Sequence, residues 1–363
     1  PNTPNGVFGA NTLQTAFSIP IDRDQYSGRI DQRFSDKDTL FFRYSVASNH
    51  APIQNPNSAL INPSFPQALK NDWINSGLSE THLFGPSLIN EVRISGMQSI
   101  EQSIPPLSSL TQASFSDGAF ASYGPDGGGG GFSLSPFTMS YRDALTWVKG
   151  KHTMNFGAEY RTVHSSYFGT SVGGPNGVYI FAAGSPLPVA VPSSDGGHDL
   201  AVGAPSPNSI VSFMTGISQF YERSVAYPGF GPPGGGFAPF SMRRSDWAGW
   251  FQDDFKIARD LTLNLGLRYE FNSVPYEIGG RLAGIVNDPN FLADKTLFRR
   301  MVLNPDPIYE ADDKGFGPRF GMAWKALPKT VVRGGFAIFT NLPLSQTADQ
   351  QGFNFPFSGY STA

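Results

Sequence analysis

The sequence has no cysteine and no long hydrophobic run, and only 15% of its 363 residues are charged. The lack of cysteine excludes a disulfide framework, cysteine-ligated zinc and a thiol nucleophile. No stretch of about 18 apolar residues occurs, so a transmembrane helix is excluded as well. The net charge of -3 argues against a nucleic-acid partner, because binding to phosphates requires a basic surface.

Glycine, proline and aromatic residues are abundant instead, with 41 Gly, 30 Pro and 13% aromatics. This composition favours one large all-β unit with many turns over the two or three soluble domains that the length alone suggests. Pro1–Ala10 has no signal-peptide pattern, and Phe353–Ala363 lacks a closing apolar strand. We therefore expect the sequence to be an internal fragment of a longer protein.

The clearest strand pattern runs from Leu261 to Phe271. Alternate residues are apolar or aromatic, and those between them are polar, charged or glycine. A period of two is typical of a sheet whose faces meet two different environments. Asp246–Ile257 alternates in the same way, with Asp253 as an exception, and a three-residue link joins the two strands into a hairpin.

The same hairpin unit recurs along the chain, with short turns inside each pair and long Gly-, Pro-, Asn- and Ser-rich connections between pairs. Short turns on one side and long extracellular loops on the other are typical of outer-membrane barrels. The predicted strands are Ser27–Phe34, Thr39–Ser48, Asn71–Phe84, Ile89–Ser103, Phe137–Lys149, His152–Ser166, Val178–Ala182, Gly216–Val225, Asp246–Ile257, Leu261–Phe271, Phe316–Lys325 and Thr330–Thr340.

Two of these strands, Val178–Ala182 and Gly216–Val225, are predicted from strand polarity. Successive strands of such a wall reverse direction, so an even number must separate His152–Ser166 from Asp246–Ile257. The apolar stretch Ile210–Met214 is predicted to be a short helix near the rim of the barrel that carries the short turns. We therefore predict an all-β fold: about half of an antiparallel up-and-down transmembrane β-barrel, with about twelve strands, curled but unclosed.

The alternation also predicts which side chains meet lipid. Lipid offers no hydrogen bonds, so the apolar side of each strand should face outward. The predicted outward set is Trp247, Gly249, Phe251, Phe255, Leu261, Leu263, Leu265 and Leu267. The predicted inward set is Gln252, Asp254, Asn264, Arg268 and Glu270. In a soluble sandwich the four leucines would instead be the least exposed residues of the chain.

Aromatic residues near strand ends are interpreted as part of a girdle at the headgroup level. They are Trp247, Trp250, Tyr269 and Phe271. The alternative, which the sequence leaves open, is the aromatic core of a soluble sandwich.

Two glycine-rich stretches resemble phosphate-binding loops but lack the required context. Gly127–Gly131 is followed neither by Gly-Lys-Ser/Thr nor by a helical pattern. Gly229–Gly234 matches G-x-G-x-x-G, yet two prolines stand where a helix should start. Both are interpreted as flexible loops.

No group of acidic residues or histidines has the spacing of a metal or catalytic site. The histidines are scattered, without H-x-x-x-H or H-E-x-x-H spacing. Asp253 and Asp254 must point to opposite faces of a strand, and Asp312-Asp313 falls in a predicted loop as a solvated pair. We expect no catalytic, cofactor-binding or metal site and no enzyme activity. The five histidines are His50, His82, His152, His164 and His198.

Several segments closely resemble TonB-dependent outer-membrane transporters, and among them the Oar-like barrel group. The resemblance covers most of the chain from Asp24 onward. The segments that carry it are Asp24–Leu40, Trp250–Phe255, Leu261–Glu270, Gly315–Gly321 and Val332–Phe336.

The resemblance implies a barrel of about 22 strands around an N-terminal plug, opened by the TonB energy-transducing complex of the inner membrane. The implied location is the outer membrane of Gram-negative bacteria, and the implied partners are outer-membrane lipid, the TonB complex and an unknown nutrient. The implied function is import of a bulky nutrient; the alternative is a structural or adhesion protein that uses the barrel as an anchor. Within this scheme residues 1–26 are an extracellular loop or a lead-in segment, residues 27–340 form transmembrane barrel strands with long extracellular loops, and residues 341–363 are a loop at the truncated end.

Overall fold

A computed structural model describes residues 20–52, 67–104, 110–117, 122–125, 129–169, 174–192, 199–225, 239–286, 300–303, 309–340 and 359–362, and all structural statements refer to them. The strands are β1 (Asp22–Arg33), β2 (Asp38–Ala51), β3 (Ala68–Gly85), β4 (Leu88–Ile104), β5 (Gln112–Phe115), β6 (Phe132–Lys149), β7 (His152–Gly169), β8 (Val178–Phe181), β9 (Phe220–Val225), β10 (Phe240–Lys256), β11 (Leu261–Asn272), β12 (Tyr276–Glu277), β13 (Ala283–Val286), β14 (Arg300–Leu303), β15 (Phe316–Leu327), β16 (Thr330–Ala337) and β17 (Gly359–Thr362).

Ten of these strands form one antiparallel sheet, the wall, in the order β1-β2-β3-β4-β6-β7-β10-β11-β15-β16, and β12 adds to the end of β10. Within the described residues β1 and β16 each pair on one side only, so the wall is not closed. The expected open meander is confirmed. All twelve predicted strands are present, although several wall strands reach 17 or 18 residues instead of about ten.

The prediction that β8 and β9 belong to the wall is wrong. β7 pairs directly with β10, from Tyr167 opposite Phe240 to His152 opposite Phe255. The chain between these strands therefore leaves the wall and returns to the same end. Strand polarity requires an even number of intervening strands, and zero satisfies that requirement as well as two does.

β8 and β9 instead join β5 and β17 in a small sheet of order β17-β9-β8-β5, in which β5 and β8 are parallel. The helix α1 (Ser209–Met214) begins after Asn208, whose side chain accepts a hydrogen bond from the Val211 amide. Phe213 of this helix contacts the rings of Phe115 and Phe181. The predicted helix is confirmed, but its place is in a long connection and not at the short-turn rim.

No helix in the described parts of the chain has the length and apolarity needed to cross a membrane.

The two faces of the wall differ sharply in chemistry. Residues directly opposite each other in an antiparallel ladder share a face, so the register assigns every wall residue to a side. Phe251 pairs with Leu267, and Trp250 pairs with Arg268. We call the side with Leu263, Leu265 and Leu267 the leucine face, and the opposite side the arginine face.

None of the four leucines is buried beneath another layer of protein. Leu265 and Leu267 are 40% and 47% exposed, whereas the side chains of Arg268 and Glu270 are 24% and 23% exposed. The predicted face assignment is therefore confirmed, and the soluble-sandwich alternative is excluded for this hairpin. Exposed aromatic rings on the same face of other strands include Tyr26, Phe42, Tyr141, Phe320, Trp324 and Phe336.

Candidate functional site

The arginine face is the candidate functional surface of the wall. Eleven of the twelve arginines in the ten wall strands lie on it, and Arg243, near the long-connection end of β10, is the exception. The eleven are Arg23, Arg29, Arg33, Arg43, Arg93, Arg142, Arg161, Arg244, Arg268, Arg319 and Arg333.

Trp250 stands at the centre of a cleft on this face. The guanidinium carbon of Arg142 lies 4.8 Å from the centre of its ring, and that of Arg268 lies 5.5 Å away. The indole Nε1 donates a hydrogen bond to Asn155 Oδ1 at 2.7 Å. Arg319 lines the same cleft. Cations over an aromatic face are held by the ring quadrupole, so the tryptophan orders two arginines from two different strands.

Acidic residues offset part of this positive charge. Arg268 Nε donates to Glu270 Oε1 at 2.6 Å, and its Nη2 lies 3.9 Å from Glu159 Oε2. A second cluster lies nearer the long-connection end of the face, around Asp246, which is 5% exposed. Asp246 lies between Arg161 and Arg244, and each arginine has a nitrogen 3.0 Å from one of its carboxylate oxygens. Removing one partner from such a sheltered cluster leaves an uncompensated charge, which costs more than an exposed ion pair is worth.

One residue of a long connection lies within electrostatic range of this second cluster. Tyr309, which precedes β15, interacts electrostatically with Arg244 and Asp246. Burial raises the pKa of the Tyr309 phenol, and the field of Arg244 lowers it in part. The phenol therefore stays neutral at physiological pH.

Apolar residues cover the long-connection end of the arginine face. Phe240 and Met242 of β10 pack with Leu282, and all three are at most 3% exposed. Glu277 of β12 is also buried and accepts hydrogen bonds from the backbone amides of Ser241, Gly279 and Arg281. Its carboxylate thereby fixes the turn that brings Leu282 onto the sheet.

One of the four residues assigned to the aromatic girdle lies on the other face of the wall. Trp247, Tyr269 and Phe271 share the leucine face, and Trp247 is 55% exposed. Trp250 lies on the arginine face because alternation places it opposite to Phe251. Its inclusion in the girdle was wrong, because closeness to the other girdle residues in sequence does not decide which face of the strand a side chain is on.

The acidic pairs lie where the sequence places them. Asp253 is opposite Leu265 and Asp254 is opposite Asn264, so the two aspartates point to different faces. Asp312 and Asp313 are exposed before β15, and Asp312 accepts a hydrogen bond from the Lys314 amide. Gly229–Gly234, part of Gly127–Gly131 and His198 lie outside the described residues.

Register brings together one group that sequence spacing does not reveal. Asp38, Glu80 and His82 each offer a potential metal-ligand atom, and these atoms lie within 4.8 Å of one another. The signal was missed because Asp38 is on β2 and the other two are on β3. Only the predicted hairpin register between these strands could have found it.

Comparison with known proteins identifies the family. The family model "Outer membrane beta barrel domain" matches residues 1–363. No curated protein matches the sequence.

Several solved structures resemble the chain at low sequence identity. They include FpvA of P. aeruginosa bound to a pyoverdine (9% identity, TM-score 0.48, 87% of this chain and 35% of that one). The ferric preacinetobactin receptor BauA of Acinetobacter baumannii gives 12% identity, a TM-score of 0.44 and coverages of 87% and 39%. The ferric-catecholate import receptor Fiu of E. coli K12, in its open form, gives 10% identity and a TM-score of 0.46, and the match covers 90% of this chain and 48% of that one. The chain thus spans between about a third and a half of the length of these proteins.

The family match over residues 1–363, the open antiparallel wall and the separation of its two faces agree with one another. The chain belongs to the outer-membrane β-barrel domain family and is part of a barrel in the bacterial outer membrane.

Proposed function

We propose that the chain is part of a TonB-dependent receptor that imports a bulky nutrient across the outer membrane. The observation that carries the proposal is the concentration of arginines on the face turned away from the exposed leucines. In a closed barrel this face lines the lumen, where a polar surface can guide a hydrophilic ligand. The resemblance of segments such as Leu261–Glu270 to TonB-dependent transporters supports the same function.

In this proposal residues 27–340 supply wall strands and extracellular loops, with residues 1–26 and 341–363 as flanking segments. The leucine face contacts membrane lipid. Contact with the TonB complex is made through a plug region outside this chain. The protein performs no covalent chemistry, since transport requires only binding, gating and release.

Growth assays test import. We expect deletion of the full-length gene to abolish growth on one nutrient class when siderophore-bound iron, oligosaccharides and peptides are supplied in turn. The Trp250→Ala variant should restore that growth poorly, because it releases Arg142 and Arg268 in the lumen. Trp247→Ala, on the leucine face, is the matched control and should restore it fully at equal outer-membrane abundance.

A structural or adhesion role is the rival function. The observation that favours it is the small sheet with α1, a folded unit within the long connections that could present a binding surface. If gene deletion leaves growth on every nutrient unchanged and abolishes only attachment to surfaces, the import proposal fails and the rival stands.

A further inference from the structure

A compact group of potential metal ligands lies on the leucine face beside the short-turn rim. The register places Asp38 of β2 opposite His82 of β3, and Glu80 lies two residues before His82. All three side chains therefore share a face. One ligand atom from each lies within 4.8 Å of the other two. We call this group the rim cluster.

The donor set suits a transition-metal ion of the zinc type. Zinc sites combine imidazole nitrogen and carboxylate oxygen, and sites with three protein ligands keep a fourth position for water or another ligand. All three residues are partly exposed, so an ion can enter from the aqueous side of the rim. Asp38 is the first residue of β2, which puts the cluster at the end of the wall and not in its middle.

Neighbouring residues orient two of the ligands. The hydroxyl of Ser35, in the β1–β2 turn, donates a hydrogen bond to Asp38 Oδ2 at 2.5 Å. The ring of Phe84 stands edge-on to the His82 imidazole, with centroids 4.5 Å apart. A rigid β-ladder and these two contacts place the side chains in advance, which lowers the cost of ordering them around an ion.

A second pair on the same face provides a comparison. His152 Nδ1 lies 2.7 Å from Asp253 Oδ2, and the imidazole stacks on Phe255 with centroids 4.2 Å apart. This pair is close to the same rim but lacks a third ligand, because the rim cluster is the only such triad in the described part of the chain. Glu80 is therefore the residue that distinguishes the Asp38–His82 pair from the His152–Asp253 pair as a potential metal site.

We propose that the rim cluster is a divalent metal site in which Asp38, Glu80 and His82 bind one zinc-type ion. This goes beyond the transport function and departs from the expectation of no metal site. His82 Nδ1 now lies 2.5 Å from Asp38 Oδ1. On binding, the imidazole carries its proton on Nε2, and the two atoms separate to roughly 3.3 Å, as two ligands about 2.0 to 2.1 Å from a tetrahedral ion require.

Calorimetric titration with Zn²⁺ tests the site on the full-length protein that contains this chain, folded in detergent micelles. We expect wild type to bind one more zinc equivalent than His82→Ala. Glu80→Gln keeps the shape of the side chain and removes its charge, so it should retain the fold and weaken this equivalent by about tenfold or more. His152→Ala is the matched control and should bind as wild type does.

The proposal is overturned if wild type, His82→Ala and Glu80→Gln bind the same number of zinc equivalents with the same affinity. Equal loss in His82→Ala and His152→Ala also overturns it, because a histidine–aspartate pair alone would then account for binding. Cold sodium dodecyl sulfate electrophoresis of unheated samples checks that each variant is a folded barrel.

Discussion

Neighbouring residues of β11 meet different surroundings because successive side chains of a strand point to opposite faces. Leu265 is exposed on the leucine face, whereas Asn264 donates a hydrogen bond to Asp254 on the arginine face. This contrast could be predicted from the sequence, because the period-two pattern is unbroken there. Trp250 was misassigned because it was grouped with other aromatic residues near the strand end. Its place in the alternation, on the same side as the polar residues, was not used.

Arginine substitutions at two adjacent positions should separate the faces. Leu265→Arg places a charge in lipid and should lower the free energy of unfolding by about 2 to 4 kcal/mol. Asn264→Arg lies at the same depth beside Asp254 and should change it by less than about 0.5 kcal/mol. Denaturant unfolding in lipid vesicles measures both. Equal destabilisation by the two substitutions would contradict the face assignment.

At the scale of elements, the hairpins could be predicted and their wider arrangement could not. Short turns fix each pairing locally, so the β10–β11 hairpin follows from its sequence. The pairing of β7 with β10 spans about seventy residues, and neither periodicity nor polarity distinguishes it from a wall with two more strands. The small sheet was missed for the same reason, since β5 and β8 come from different connections.

The β6–β7 turn depends on one glycine. Gly150 has a φ of 62°, a left-handed conformation that side chains disfavour. Gly150→Ala should therefore cost about 1 kcal/mol of unfolding free energy. Gly28→Ala, in β1, is the control: its φ is not positive and open space surrounds the added methyl, so stability should hold or rise slightly. A larger loss in Gly28→Ala than in Gly150→Ala would show that the turn geometry is wrong.

The small sheet and the wall should lose structure independently. Phe181 is 7% exposed and contacts Phe115 and Phe213, so Phe181→Ala should destabilise the small sheet by about 3 kcal/mol. Limited proteolysis should then cut between residues 170 and 239 sooner than in wild type, while the wall remains resistant. Phe251→Ala, which removes a ring from the leucine face, should not speed cleavage there. Cleavage spread equally over the wall would contradict two separate units.

At the scale of the whole molecule, the wall is an open sheet whose faces suit two different solvents. A row of exposed apolar side chains is unstable in water but stable against lipid, and the arginine clusters are sheltered on the other side. The exposed edges of β1 and β16 are the places where further wall strands would pair in a closed barrel. Composition and alternation predict this architecture, whereas the contacts among Arg142, Trp250 and Arg268 require the register of four strands, β6, β7, β10 and β11.

The separation of the two faces is the central claim, and spin-label accessibility along β11 tests it most directly. This chain has no cysteine. With any cysteine elsewhere in the full-length protein replaced, single cysteines at positions 263 to 268 can each carry a label in lipid vesicles. We expect collisions with lipid-dissolved oxygen to alternate with a period of two, high at 263, 265 and 267 and low at 264, 266 and 268. Uniform accessibility, or high values at the even positions, would contradict a leucine face in lipid and an arginine face in the lumen.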